Sequence, residues 1–187
     1  PEASAASPPG IGGRLRRLRN DPAGSLNTSQ SAAVEAALQQ RLTLIQGPPG
    51  TGKTHTAVHL LSTMAAQGRG PILATAESNV AVDNLLEGLL ESGVNAVRIG
   101  QPVKVRASLR EATLDAQLEH HPLQEDLAAL RDEHDTLKRG LSGLRGKERG
   151  LAHKDLSMQR REMQRLERQM IDGLLDGAEV VCATTVG

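Results

Sequence analysis

The chain has 187 residues, 22 Lys+Arg balanced by 22 Asp+Glu, and no Phe, Tyr or Trp. Zero net charge removes a global field as an argument for nucleic-acid or membrane binding, so any such case rests on local patches. No apolar run approaches the roughly 20 residues of a membrane span, no signal-peptide pattern opens the chain, and the one cysteine, Cys182, sits in an apolar run. That usage suits a buried thiol in a reducing compartment, read as cytoplasmic with the nucleus as the alternative. Adenine rings and unpaired bases are commonly held by aromatic stacking, so stacking groups for either are expected beyond the chain or from Arg.

Residues 1–26 are rich in Pro, Gly, Ala and Ser and read as a flexible linker. Within it, Arg14-Leu15-Arg16-Arg17-Leu18-Arg19 suits either phosphate tracking or a solvated basic linker. A helix is predicted from Thr28, capped by Asn27 or Thr28, with Ala33, Val34, Ala37 and Leu38 on its apolar side. Gln30 on that helix carries an amide that can pair with a donor and an acceptor on an adenine edge, although on the bare sequence an exposed helix glutamine is the safer reading. Leu42-Thr43-Leu44-Ile45 reads as a strand, and Lys53 to Gln67 as a helix closed by Gly68. Between them, Gly47-Pro48-Pro49-Gly50-Thr51-Gly52-Lys53-Thr54 fits the phosphate-binding loop. Its glycines let successive N–H groups turn inward on a polyphosphate, Lys53 would reach the β/γ-phosphates, and the Thr54 hydroxyl would ligate Mg²⁺. Loop and context together point to a nucleotide-binding site.

Further strands are predicted at 71–75, 95–99 and 179–184, with a helix from Val80 to Glu91 capped by Ser78 or Asn79. Strands alternating with helices imply right-handed crossovers and a parallel sheet, an α/β architecture. Ligands of such sheets bind outside the carboxyl ends of the strands. Segments 47–54, 76–79, 100–104 and 184–187 are therefore expected along one edge. Ser78, Asn79, Thr184 and Thr185 offer hydroxyl and amide groups there that suit phosphate and sugar oxygens. Helix capping alone also accounts for Ser78 and Asn79.

Residues 106–176 have a different rhythm. Leu123, Leu127, Leu130, His134, Leu137, Leu141 and Leu144 alternate spacings of four and three, and Leu156, Met163, Leu166, Met170 and Leu174 continue in the same manner. Gly140, Gly143, Gly146 and Gly150 interrupt the middle, predicting an antiparallel helical hairpin with legs on the order of 25 to 30 Å. Acidic residues dominate its first leg and basic residues its second, which suits charge pairing between the legs. The tip residues Arg139, Arg145, Lys147 and Arg149 also suit nucleic-acid phosphate.

Taken together, Asn27-Thr28-Ser29-Gln30, Gly47 to Thr54, Ala76-Glu77-Ser78-Asn79-Val80-Ala81-Val82-Asp83-Asn84-Leu85, Arg98-Ile99-Gly100-Gln101-Pro102, Leu114-Asp115-Ala116-Gln117-Leu118 and Val181-Cys182-Ala183-Thr184-Thr185 resemble, in order, the superfamily 1 helicases related to the nonsense-mediated-decay helicase. The resemblance covers residues 26–187 and is nearest to the immunoglobulin mu switch-region-binding branch. It implies a RecA-like P-loop NTPase core over 27–105, continued at 177–187, with the helical hairpin as an accessory insertion. It further implies ATP and Mg²⁺ as cofactors, movement 5′ to 3′ on single-stranded RNA or DNA, and no membrane. Under it, Gln30 reads adenine and Gly47 to Thr54 hold the triphosphate, with Lys53 and Thr54 in catalytic positions. Ser78, Asn79, Val82, Thr184 and Thr185 then lie on the nucleic-acid strand.

The family's acidic Asp-Glu motif, its second motor domain and its upstream barrel have no counterpart in these residues, so a piece of a larger protein is expected. Hydrolysis by this polypeptide alone is expected to be negligible, since an arginine finger is worth about 10³ to 10⁵ in rate. The residues leave two other classes open: another P-loop enzyme, such as a kinase with a helical lid, or a non-catalytic module whose hairpin docks a protein partner.

Overall fold

The computed structural model describes residues 26–101 and 104–185. The basic run Arg14 to Arg19 and Pro102 lie outside the described residues. In chain order the elements are α1 (Thr28–Gln39), α2 (Lys53–Ala66), β1 (Ile72–Ala76), α3 (Asn79–Glu91), β2 (Ala96–Ile99), a 3₁₀ turn (Ala107–Ala112), α4 (Leu114–Glu119), α5 (Gln124–Gly140), a 3₁₀ turn (Leu141–Gly143), α6 (Gly146–Gly177) and β3 (Val180–Thr184). The described residues up to Thr113 together with those from Gly177 onward form one compact unit, and Leu114–Asp176 form another.

In the first unit the three strands are parallel in the order β1-β3-β2, so the strand latest in sequence is central. A central strand is covered on both faces and must be apolar on both. Val180, Val181 and Cys182 meet that demand, and all three are buried. Burial pushes the Cys182 thiol up to about 11, with the Arg98 charge acting in the opposite direction. Helix α3 covers the sheet with Val82, Leu86 and Leu89, each fully buried, at the four- and three-residue spacing of one helical face. Helix α2 approaches α3 closely at Gly88, where a Cβ would stand 2.8 Å from a Val58 methyl carbon.

Segment 42–45 departs from its predicted strand. It pairs with none of the three strands, and Leu42 and Leu44 are 77% and 89% exposed. An apolar run becomes a strand only when a ladder partner satisfies its backbone groups. Among the described residues this segment has none, so the sheet has three strands instead of four.

In the second unit the predicted seam is the covered face. Leu127 is buried, and Leu123, Leu130, His134, Leu137, Leu141 and Leu144 are partly covered among exposed neighbours. The reversal is tighter than expected. It occupies residues 141–145, with Gly146 at φ 53 starting the return helix. Gly150 lies inside α6, where a glycine costs only about 1 kcal/mol relative to alanine. The return leg has 32 residues, about 48 Å of helix, longer than the predicted leg. Ala152 extends its buried side one turn before Leu156.

Candidate functional site

The loop at 47–54 is shaped by its glycines. Gly50 and Gly52 adopt left-handed backbone, φ 81 and 79, a region open to glycine at no steric cost. Gly52 is the N-cap of α2, and the loop therefore turns directly into that helix. At Gly47 a Cβ would stand 2.6 Å from Thr51 Oγ1, so a side chain there would displace the threonine. Thr51 Oγ1 donates to the Pro48 carbonyl at 2.8 Å, closing the loop across its base.

Lys53 Nζ donates to the carbonyls of Gly47 and Pro48 at 2.8 and 2.9 Å. The ammonium is exposed and its present partners are neutral. Phosphate oxygens carry charge and add a Coulombic attraction that neutral carbonyls lack, so they compete well for it. The start of α2 adds the positive end of the helix dipole, which favours an anion there. Thr54, the second residue of that helix, is exposed, as are Pro48, Pro49 and Thr51. The donor set thus fits an anionic polyphosphate, and the Thr54 hydroxyl is open to a cation bound beside it.

Gln30 is tied to the same loop. Its Nε2 donates to the Thr51 carbonyl at 3.0 Å, and its Oε1 accepts from the Asn27 N–H at 3.0 Å. Asn27 returns the second bond, its Oδ1 accepting from the Gln30 N–H at 2.9 Å, which makes a reciprocal cap for α1. Both polar ends of the glutamine are therefore engaged inside the chain. Gly52 permits that contact, since a Cβ there would stand 2.7 Å from Gln30 Nε2.

The strand ends bring a second set of residues together. Ala76 is in register with Thr184, Ile99 with Ala183, and the Thr185 N–H donates to the Ala76 carbonyl at 3.0 Å. Ser78 and Asn79 follow β1 at the same edge as Thr184 and Thr185. The Ser78 hydroxyl oxygen accepts from the Ala81 N–H at 3.2 Å and caps α3. Val82 is corrected: it is 0% exposed and packs in the core, so it is no surface contact. The exposed apolar residue of that segment is Val80, at 65%. Its position on the first turn of α3, off the 82–86–89 face, is the signal that would have found it.

Sequence reasoning left Arg98 and Asp83 without roles. Arg98 is 1% exposed and pairs with Asp83, Nε to Oδ1, at 3.0 Å. Asp83 Oδ2 also accepts from the Arg106 N–H at 3.0 Å. An arginine inside the apolar strand 95–99 was the available signal, because a buried charge requires a partner.

In the hairpin unit, Arg131 and Glu167 form an ion pair between α5 and α6 at 2.6 Å, both about half exposed. Pairs of this kind contribute about 0 to 1 kcal/mol, enough to bias register but little else. Glu162 accepts from Arg165 one turn along α6, which holds its carboxyl below the usual range. At the tip, Arg145, Lys147 and Arg149 are exposed, whereas Arg139 donates to the Asp135 carbonyl and the Thr136 hydroxyl. Among the described residues no helix is long and apolar enough to cross a membrane, and no group of three metal-ligating side chains is present.

Comparison with known proteins places the chain in a family. Residues 25–187 match a family profile described as an AAA domain. The chain is 35% identical over 169 residues to the Regulator of nonsense transcripts 1 homolog of Arabidopsis thaliana, covering 87% of this chain and 12% of that protein. It is 35% identical over 165 residues to the DNA-binding protein SMUBP-2 of Mus musculus, with 87% and 16% covered. It is 36% identical over 170 residues to the ATP-dependent helicase upf1 of Schizosaccharomyces pombe, with 87% and 17% covered. The chain thus spans less than a fifth of the length of each of these relatives.

Proposed function

Because the chain belongs to the AAA-domain family, and its relatives there are superfamily 1 helicases, we propose that it is part of the first motor domain of an ATP-dependent helicase moving 5′ to 3′ on single-stranded RNA or DNA. The observation that carries this reading is the loop 47–54, held open by two left-handed glycines and running straight into α2 with Lys53 folded over it. Lys53 Nζ exchanges two neutral carbonyls for β- and γ-phosphate oxygens of ATP, and the Thr54 hydroxyl is the chain's ligand for Mg²⁺. Bound Mg²⁺ supplies neutralisation of the charge that builds on the phosphoryl group. Gly47, Pro48, Pro49, Gly50, Thr51 and Gly52 shape the cradle. Gln30 reads the adenine edge by exchanging its bonds to Thr51 and Asn27 for bonds to the base.

Single-stranded nucleic acid lies along the strand-end edge, on Ser78, Asn79, Thr184 and Thr185, with Val80 as its apolar contact. The exposed cations Arg145, Lys147 and Arg149 at the hairpin tip add phosphate contacts, and a protein partner on the hairpin is the competing use of that unit. The cytoplasm, with the nucleus as alternative, is the proposed location.

The test is ATP hydrolysis by the full-length protein with and without single-stranded RNA or DNA. Hydrolysis is expected to rise with either polymer and to vanish in Lys53→Ala. Turnover retained in Lys53→Ala overturns the site, and hydrolysis indifferent to both polymers overturns the helicase reading.

A further inference from the structure

Arg98 makes three side-chain bonds, and one of them reaches the proposed nucleic-acid edge. Nε donates to Asp83 Oδ1 at 3.0 Å, Nη1 to the Ile99 carbonyl at 2.9 Å, and Nη2 to Asn79 Oδ1 at 2.7 Å. The head is tightly enclosed, since a Cβ on Gly100 would stand 3.1 Å from Nη1. Asp83 is itself 4% exposed and accepts a second bond from the Arg106 N–H. The guanidinium is therefore fixed in position by charge, by backbone and by packing, and it is 1% exposed.

That rigidity determines which way the Asn79 amide faces. A guanidinium has donors and no acceptor, so only the amide oxygen can meet it. The bond is short and charge-assisted, the stronger kind. Asn79 Nδ2 must then face away from Arg98, and it has no partner among the described residues. Asn79 is half-buried, at the start of α3 beside the end of β1.

We propose that Arg98 is a positioning residue for the nucleic-acid site: by holding Asn79 Oδ1, it presents Asn79 Nδ2 as an obligate hydrogen-bond donor to an oxygen acceptor of the single strand. Asp83 holds Arg98 in place, so the arrangement runs from Asp83 through Arg98 to Asn79 and then to the ligand. Without the clamp the amide rotates, and half of its orientations turn an oxygen toward an oxygen. The acceptor is a phosphate, ribose or base oxygen, and the donor does not distinguish among them. This inference rests on the nucleic-acid reading above.

The experiment measures binding of fluorescein-labelled U₁₅ RNA and dT₁₅ DNA by anisotropy, alongside the thermal midpoint of each protein. Asn79→Ala and Arg98→Lys are each expected to weaken binding about five- to tenfold, the loss of one hydrogen bond. The double variant should be no weaker than the worse single one, because both remove the same contact. Asn79→Asp keeps an acceptor for Arg98, so it folds at least as stably, yet it offers the strand an acceptor instead of a donor and should bind worse than Asn79→Ala. Wild-type affinity in Asn79→Asp, or additive losses in the double variant, overturns the Arg98 clamp while leaving the nucleic-acid reading intact. Failure of the wild type to bind either oligonucleotide overturns both. Arg98→Lys lowering the midpoint without any companion effect from Asn79→Asp marks Arg98 as structural only and overturns the proposal.

Discussion

Gly52→Ala tests how the phosphate loop is held, and Gly50→Ala supplies its control. Both glycines occupy left-handed backbone, with φ 79 and 81. An L-residue there costs on the order of 1 to 2 kcal/mol, so both variants carry that strain. They differ in what the new methyl meets. Nothing lies within 4 Å of a Cβ on Gly50, whereas a Cβ on Gly52 stands 2.7 Å from Gln30 Nε2. The glutamine end can retreat, but only by giving up its bond to the Thr51 carbonyl, worth about 1 kcal/mol. Its Oε1 leaves the Asn27 N–H as well, which loosens the cap of α1 by about another 0.5 to 1 kcal/mol. Gly52→Ala should therefore cost about 1 to 2 kcal/mol more than Gly50→Ala. For a chain of this size that is a gap of about 2 to 8 °C in thermal midpoint, read by circular dichroism. Gln30→Ala removes the obstacle, so Gly52→Ala combined with Gln30→Ala should cost less than the sum of the two by about 1 kcal/mol. Equal midpoints for the two glycine variants, or strict additivity with Gln30→Ala, would refute the Gln30–loop contact.

Two further outcomes check the core. Leu86→Ala, at a fully buried position on α3, should lose about 2 to 5 kcal/mol in urea unfolding at an unchanged m-value, and a loss under 1 kcal/mol would place Leu86 outside the core. Cys182 is held protonated up to about 11 against an ordinary value of 9.0. In that window the unfolded thiol has given up its proton and the folded one has not, so stability falls as pH rises from about 9 to 11, by on the order of 2 to 3 kcal/mol. Below pH 9 the group adds no pH dependence, and the folded protein should leave its thiol unmodified by iodoacetamide at pH 8 until denatured. Fast labelling of the native protein at pH 8 would contradict the buried thiol.

What the sequence made legible is what short-range rules decide. The loop 47–54 announces itself because glycine, lysine and threonine at fixed spacing satisfy purely local demands, and the two positive-φ glycines are at the positions those demands select. Ser78 was readable as a cap for the same reason, and the Leu123 to Leu144 seam because helical period is local. Leu42 to Ile45 failed because strand identity is not local: the run has the apolar content but no ladder neighbour among the described residues. Val82 failed because a motif segment on a helix shows only one side to solvent, and the 82–86–89 spacing puts this residue inward. Arg98 was visible as an anomaly in an apolar strand, yet its partners at Asn79 and Asp83 lie on a different element and are joined to it only by the fold.

The sheet order explains why the nucleotide loop and the strand-end edge depend on different parts of the chain. The loop is closed by contacts among residues 27 to 53, all local or between neighbouring helices. The edge carrying Ser78 and Asn79 is not. Among the described residues the ladder partner of both β1 and β2 is β3, apart from a single bridge between Arg98 and Thr113, so neither has a full ladder until Val180–Thr184 returns from beyond the hairpin unit. Closing that long excursion costs little more than closing a short one, because loop entropy grows logarithmically and each doubling adds only about 0.6 kcal/mol. A helical unit can therefore be accommodated between β2 and β3 without weakening the sheet, provided its own seam keeps it folded. The covered leucine stripe of α5 supplies that condition. The same arrangement makes β3 the element through which the edge is assembled: it aligns Ala76 with Thr184 and Ile99 with Ala183, and with them the Asn79–Arg98 clamp on which the proposed contact to a single strand rests.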